Sequence, residues 1–194
     1  MAIVEAAGNV FAATPSDQAA DAPAVPGLGF VISTRGSPSQ VEGGHPACVA
    51  PGKRPRVTAC PMLYLSGDGR MIAGGGPGGD RQLQARAQVL ARYLSGGRSL
   101  AEATAAPRVF TQSAPISTSP YLVFPGWIMV EQDMPEPVVQ ALAALGHRVM
   151  RIAAKGVLSP SVCLVEAGAA GSRAIGDHRR ACGPCDGLAG WAPR

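Results

Sequence analysis

Long apolar runs are missing from this 194-residue chain. No window approaches the roughly 18 uninterrupted apolar residues of a membrane-spanning helix, so no membrane partner is expected. Aromatic residues are scarce, at 5%, and the 17 lysines and arginines are scattered, so the net charge of +4 comes without the stacking platform of a nucleic-acid binder. The cysteines, Cys48, Cys60, Cys163, Cys182 and Cys185, are odd in number and irregular in spacing, which excludes a regular disulfide framework and points to a reduced, cytoplasmic setting. The opening, MAIVEAAGNV, has neither a basic n-region nor a long apolar h-region, so as written it reads as a chain without a secretion signal.

Glycine and proline are abundant instead: 25 and 18 residues, with no period that would suggest collagen or a repeat array. A hydrophobic share of 46% beside 15% charged residues is enough for one domain with a real core.

The pattern predicts strands at 2–5 and 10–14 around AAGN, a first hairpin. Between Pro15 and Gly52 the composition turns to loop residues, broken by the apolar run GFVIS (29–33), which predicts one buried strand. The runs 62–65 and 70–73 flank SGDG, turn chemistry that predicts a tight hairpin. A helix follows, with Leu83, Ala87, Leu90 and Leu94 on its apolar face, Arg81, Gln84, Arg86 and Arg92 on others, Asp80 as N-cap, and Gly96 and Gly97 as its stop. A second helix spans 99–106 between a Ser99 cap and Pro107. A third runs from Pro137 to Leu145 with Val138, Leu142 and Leu145 on one face. Further strands are predicted at 121–124, 127–131, 148–153, 161–167 and 173–177. Strands in hairpins with helices in a cluster make an α+β pattern more than strict βαβ alternation.

Five glycines surround Pro77 between Gly74 and Gly79, directly before the long helix. Gly74, Gly76 and Gly79 formally satisfy G-x-G-x-x-G, but the strand entering the loop is the second arm of a hairpin, and Asp80 would set a carboxylate where a pyrophosphate should sit. Glu102, the acid about 20 residues on, falls inside a helical pattern rather than at a strand end. A P-loop fails because Asp80 and Arg81 stand where Lys and Ser/Thr must reach phosphate and magnesium. Two readings remain: a sharp strand-to-helix turn, or backbone N–H groups freed at a helix start to bind a developing oxyanion.

The segment APGKRPRVTACPMLYLSGDGRMIAGGGPGGDRQ, followed by SLAEATAAPRVF, resembles the small-subunit region of the γ-glutamyltransferase family. That family carries a P-x-K-R-P segment, a hairpin, a Pro-Gly-Gly loop, a helix and an A-x-x-A-P-R ending in the same order. The resemblance extends from AIVEAAGNVFAAT to IGDHRR, similar to the family's late D-P-R-R. It therefore covers residues 1–180 and leaves 181–194 as a divergent tail. It implies an α+β fold, a partial N-terminal-nucleophile hydrolase αββα sandwich of antiparallel sheets with flanking helices, and an amide hydrolase or acyl transferase that uses no cofactor or metal.

What the resemblance implies for the site is specific. Gly78 and Gly79 match the amides that form the oxyanion hole for γ-glutamyl transfer, a role that needs close backbone approach. Thr58, after Val57, matches a hydroxyl that contacts the substrate carboxylate. Ser16 matches a hydroxyl supporting the nucleophile, and Gln18 stands where the family has an asparagine for the α-carboxylate. The family's polar segment for the glutamyl α-amino group is replaced by STRGSPSQ (33–40), in which Arg35 offers a bidentate carboxylate contact. The substrate is thus a γ-glutamyl compound of glutathione type or a related amide.

The family's nucleophile is an N-terminal Thr exposed by self-cleavage, whose own amine serves as base. The matching position lies about three residues before Met1, and the family's large subunit is likewise outside the chain. The resemblance therefore implies a small-subunit fragment, inactive alone, with a large-subunit-like partner.

Two other classes stay open. One is a non-catalytic subunit that docks on such a partner through an exposed apolar face. The other is thiol redox chemistry at CGPC (182–185), although the residues after it form a poor helix for stabilising a thiolate. Zinc would need further ligands, for which His178 is the nearby candidate.

Overall fold

The computed structural model describes residues 1–17, 22–156 and 158–180. Strands β1 (Ala2–Val4) and β2 (Val10–Ala12) form the expected first hairpin, with Ile3 opposite Phe11. A four-stranded antiparallel sheet of order β3-β4-β8-β9 is the centre of the fold: β3 (Met62–Leu65), β4 (Met71–Gly75), β8 (Cys163–Gly168) and β9 (Gly171–Ile175). A third sheet holds β5 (Val109–Thr111), β6 (Trp127–Glu131) and β7 (Arg148–Ile152).

Alternation along the central strands sends side chains to two faces. Ile72 and Leu164 point into a core shared with Ala85 and Val89 of helix α1 (Gln82–Leu94), Leu100 and Ala103 of helix α2 (Leu100–Ala105), and Phe110, Met129 and Ile152 of the third sheet. Ala73, Val165 and Ala167 point the other way and are buried where the first hairpin packs across β4 and β8. Helices, central sheet and hairpin make three stacked layers, α, β and β, a part of the αββα architecture in which the second sheet is reduced to two strands. Leu63 and Leu65 on that second face, and Ile3 and Phe11 on the outer face of the hairpin, stay exposed. No helix among the described residues is long and apolar enough to cross a membrane.

Several local expectations hold for the reasons that predicted them. The SGDG hairpin forms, with Ser66 N–H donating to Arg70 and Gly69 at φ 82°. Helix α2 starts on a complete capping box between Ser99 and Glu102. Helix α1 ends at Ser95, and Gly97 takes the left-handed conformation at φ 63°.

Others are corrected. The buried face of α1 is Gln82, Ala85, Arg86 and Val89, and Leu83 is 65% exposed. The apolar period of the sequence runs one residue out of phase with the buried face because two long polar side chains, Gln82 and Arg86, occupy core positions. Asp80 does not cap α1, since residues Gly79–Arg81 form a 3₁₀ turn ahead of it and the Asp80 carboxylate turns elsewhere. The run 29–33 makes one isolated bridge, Val31 to Ala24, with Phe30 and Ile32 exposed, because no neighbouring strand completes a ladder. Residues 121–124 lie in a self-bonded loop, where Leu122 accepts from Ile116 N–H and Phe124 N–H donates to Gln112.

Val138 of helix α3 (Glu136–Ala144) and Leu145 just past its end are open to solvent, α3 packing among the described residues mainly along β7. Strand β5 was not foreseen; at three residues it is too short to show a period. Finally β6 and β7 are parallel, joined through α3, so one βαβ unit sits inside an otherwise antiparallel fold.

Candidate active site

Strand β4 runs directly into the glycine loop. Gly78 has φ 147° and Gly79 φ 55°, backbone conformations that an L side chain rarely adopts. Gly78 is also tight against Pro160: a Cβ there would lie 2.2 Å from the Pro160 Cβ. Gly79 faces open space. Its carbonyl accepts from Gln82 N–H and that of Gly78 from Arg81 N–H, so both carbonyls are committed to the start of α1. Among the described residues neither the Gly78 nor the Gly79 N–H donates to any acceptor. The loop thus presents two adjacent unused donors at a helix start.

Two buried devices hold it. Arg86 is 2% exposed and donates from Nη2 to the Gly76 carbonyl at 2.9 Å and to Gln82 Oε1 at 3.2 Å. Its Nε and Nη1 have no hydrogen-bond partner among the described residues. Burial lowers its pKa, with Cys60 and Cys163 favouring the charge in return.

The second device is a four-charge network. Arg108 donates to Asp177 at 2.7 Å and to the Pro160 carbonyl at 2.8 Å. Arg179 is bidentate on Glu131, at 2.6 Å for each bond, and reaches Asp177 at 3.1 Å. All four side chains are at most 1% exposed. Burial pushes the Asp177 carboxyl up, and Arg108 and Arg179 more than reverse this, leaving it below the ordinary value. Asp177 also accepts from Val162 N–H, and Ser161 N–H donates to Pro77, so the network fixes the segment that walls the glycine loop. Arg108 belongs to the A-P-R motif and Asp177 and Arg179 to the GDHRR motif; their meeting, and the role of Glu131, are not visible in the motifs separately.

Asp80 closes the other side. Its carboxylate accepts from Arg56 at 2.7 Å and from the N–H and Oγ of Ser117 at 2.9 and 3.0 Å, and Arg56 also donates to the Pro115 carbonyl. Thr58 stands two residues past Arg56, half-buried, in an extended segment outside any strand.

A separate cluster forms after the first hairpin. Ser33 Oγ and Thr34 N–H donate to Asp17 at 2.8 and 2.9 Å, and Arg35 Nε lies 3.7 Å from the same carboxylate. The Ser33 hydroxyl is the first cause of a lowered Asp17 pKa. Ser16 is adjacent and half-buried. The sequence had not singled out Asp17, although three donors converge on it. No hydrogen bond among the described residues joins this cluster to Gly78 or Gly79.

The chain start, however, adjoins the glycine loop. The Met1 amino group donates to the Ala13 carbonyl at 2.8 Å, and it lies 3.2 Å from where a Cβ on Gly75 would be. Thr14 Oγ1 lies 3.0 Å from the same point and is buried without a hydrogen-bond partner among the described residues.

Gln18 and the CGPC cysteines, Cys182 and Cys185, lie outside the described residues. His178 is half-exposed beside Asp177, and no group of His, Cys, Asp or Glu among the described residues is arranged to hold a metal.

The family model described as gamma-glutamyltranspeptidase matches residues 1–184. The Acylase ACY 1 proenzyme of Pseudomonas sp. (strain SE83) is 32% identical over 152 residues, 77% of this chain and 25% of that protein. The chain therefore spans about a quarter of the length of that relative. The structure of LmbA2991HD superimposes with a TM-score of 0.81 at 32% identity, over 92% of this chain and 32% of that one. The T380A mutant of Helicobacter pylori gamma-glutamyltranspeptidase superimposes with a TM-score of 0.76 at 21% identity, over 93% of this chain and 98% of that one, a likeness of fold. With its Pro-Gly-Gly loop, A-P-R and D-H-R-R motifs assembled as described and the family model matching nearly end to end, the chain belongs to the gamma-glutamyltranspeptidase family.

Proposed function

We propose that the chain is the small-subunit part of an amide hydrolase or acyl transferase, with Gly78 and Gly79 as its oxyanion hole. The observation that carries this reading is the pair of N–H groups of Gly78 and Gly79, which have no acceptor among the described residues. The nucleophile in this reading is a threonine about three residues upstream of Met1, as the family resemblance implies. Its hydroxyl, deprotonated by its own amine, attacks the substrate carbonyl, and the two amides hold the negative charge of the tetrahedral intermediate. Collapse of the intermediate breaks the substrate C–N bond, the leaving amine takes the proton held by the threonine's ammonium, and the acyl ester left on the hydroxyl is then attacked by water or a second amine.

In this reading Thr58 and Arg35 meet substrate carboxylates, Ser16 supports the nucleophile and Gln18 contacts the α-carboxylate. Arg35 must share its charge with Asp17. The substrate is a γ-glutamyl compound or a related amide, and the chain is inactive until a large-subunit-like partner joins it.

The test is turnover of γ-glutamyl-p-nitroanilide and other aryl amides. The isolated chain is expected to be silent, and the chain carrying the upstream threonine and joined to a large subunit to be active until Gly79→Pro removes one donor. Sustained turnover by the isolated chain, lost in Gly79→Pro, overturns the inactive-fragment reading; silence of the assembled enzyme on every amide overturns the enzymatic one.

A second reading, a non-catalytic subunit, is supported by the uncovered apolar residues Ile3, Phe11, Leu63 and Leu65, and predicts a stable complex with a large-subunit-like partner but no turnover.

A further inference from the structure

Beyond the glycine loop lies a cavity of about 440 Å³ walled by Ile116, Phe124, Trp127, Met129, Met150 and Leu158, with Arg81 and Gln112 at its polar end. Its volume is within the roughly 300–1,000 Å³ of small-ligand sites, and its walls are apolar and aromatic with few polar groups, as such sites are.

Three connections tie it to the loop. Arg81 follows Gly79 by two residues and crosses the cavity end, donating to the Leu158 carbonyl at 2.9 Å and to Gln112 Oε1 at 3.1 Å. Leu158 lines the cavity, and Pro160, two residues on, is the residue packed against Gly78. The loop carrying Ile116 is clasped by Asp80 through Ser117. At this end the Arg81 guanidinium is partly desolvated, is attracted to the Asp80 carboxylate and, less strongly, is repelled by Arg180, which donates to the Ser159 carbonyl at 3.3 Å.

We infer that this cavity receives the apolar part of the amide substrate acted on at Gly78 and Gly79, and that the substrate class is an amide bearing an aryl or bulky alkyl group together with a carboxylate. The inference rests on the enzymatic reading above and names the substrate of that same site. The apolar group lies between Phe124, Trp127 and the methyls of Met129 and Met150, and the carboxylate lies toward Arg81.

The six methionines make the test direct, since Met129 and Met150 line the cavity while Met62, Met71 and Met134 do not. The full chain, labelled with [13C-methyl]methionine, is titrated with N-phenylacetylglycine, acetylglycine and phenylacetamide. N-Phenylacetylglycine is expected to shift the Met129 and Met150 methyls saturably while Met62 and Met134 stay in place, and acetylglycine to leave all four unmoved. Met150→Lys, on the half-exposed edge of the cavity, is expected to weaken the probe about tenfold. Arg81→Gln is expected to weaken N-phenylacetylglycine about tenfold and leave phenylacetamide unaffected.

Shifts absent from Met129 and Met150, or spread equally over Met62 and Met134, overturn the assignment, as does unchanged affinity in Met150→Lys. Should that variant unfold, the wild-type shift pattern alone decides. Because the shifts need neither nucleophile nor partner, they read the cavity, whereas turnover of γ-glutamyl-p-nitroanilide by the assembled enzyme reads the glycine loop, and each can fail without the other.

Discussion

Pro160 is packed against Gly78 so closely that a Cβ on the glycine would stand 2.2 Å from the proline Cβ, and the carbonyl of that same proline accepts a 2.8 Å hydrogen bond from the buried Arg108. The glycine loop and the four-charge network are therefore one mechanical unit. A change at either end is felt at the other.

The two glycines differ in what a side chain would meet. Gly78→Ala cannot be accommodated without moving Pro160, and is expected to cost both stability and turnover. Gly79→Ala meets open space and pays only for its φ of 55°, about 1–2 kcal/mol. Gly79→Pro removes the N–H and also, because proline fixes φ near about −65°, forces the loop out of its φ of 55°, so in an assembled enzyme it is expected to lower kcat by at least the roughly 100- to 1,000-fold typical of losing one oxyanion donor. Steady-state kinetics beside thermal melts of the three variants check the order; Gly79→Ala as damaging to kcat as Gly79→Pro would contradict it.

Removing one member of the network leaves its partners charged and buried. Arg179→Met strands Glu131 and takes one of the two arginines from Asp177, and is expected to destabilise by about 3–5 kcal/mol in chemical denaturation. The double variant Arg179→Met with Glu131→Gln should recover part of that loss, because the uncompensated carboxylate is gone. Additive losses in the double-mutant cycle would show that the bidentate pair is not coupled.

Much of this arrangement was legible in the sequence where the signal is local. Hairpins punctuated by SGDG, the Ser99 and Glu102 capping box and the Pro-Gly-Gly loop before a helix each depend on a few adjacent residues. Failures came where burial is decided by distant partners. Arg86 reads as solvated because arginine seldom occupies a core, yet it is needed there to hold the Gly76 carbonyl. Residues 29–33 and 121–124 have strand composition but no neighbouring edge. Asp80 has the chemistry of a helix cap, and its carboxylate is drawn away by Arg56 and Ser117, residues 24 and 37 positions distant.

Asp80 is accordingly a clasp between the Arg56 segment, the helix start and the loop that walls the apolar cavity. Asp80→Ala is expected to cost about 1–3 kcal/mol, the range for losing hydrogen bonds to a charged group, discounted because the side chain is a quarter exposed. It should also loosen residues 112–124, seen as faster amide exchange in that loop with the central sheet unchanged. Uniform exchange across the chain would mean instead that the clasp has no local role.

Acid stability distinguishes buried from exposed carboxylates. Asp177 is held below its ordinary value of 3.8 by Arg108 and Arg179 against its burial, and Asp68 is lowered to about 2, first by the Arg70 N–H. Both folded values lie below the unfolded one, so each contribution is complete above about 3.8 and is lost as the pH falls through the folded pKa. Asp177→Asn should therefore be much less stable than the wild type near neutrality, with the gap narrowing below about pH 4 as the wild-type carboxylate protonates. Asp68→Asn should show the same trend with smaller amplitude. Salt tells them apart: at about 1 M the Debye length is near 3 Å, which screens the surface pair of Asp68 and Arg70 and leaves the buried Asp177 almost untouched. Urea denaturation across this pH range at low and high salt measures both, and a salt-sensitive Asp177 contribution would mean that water reaches the network.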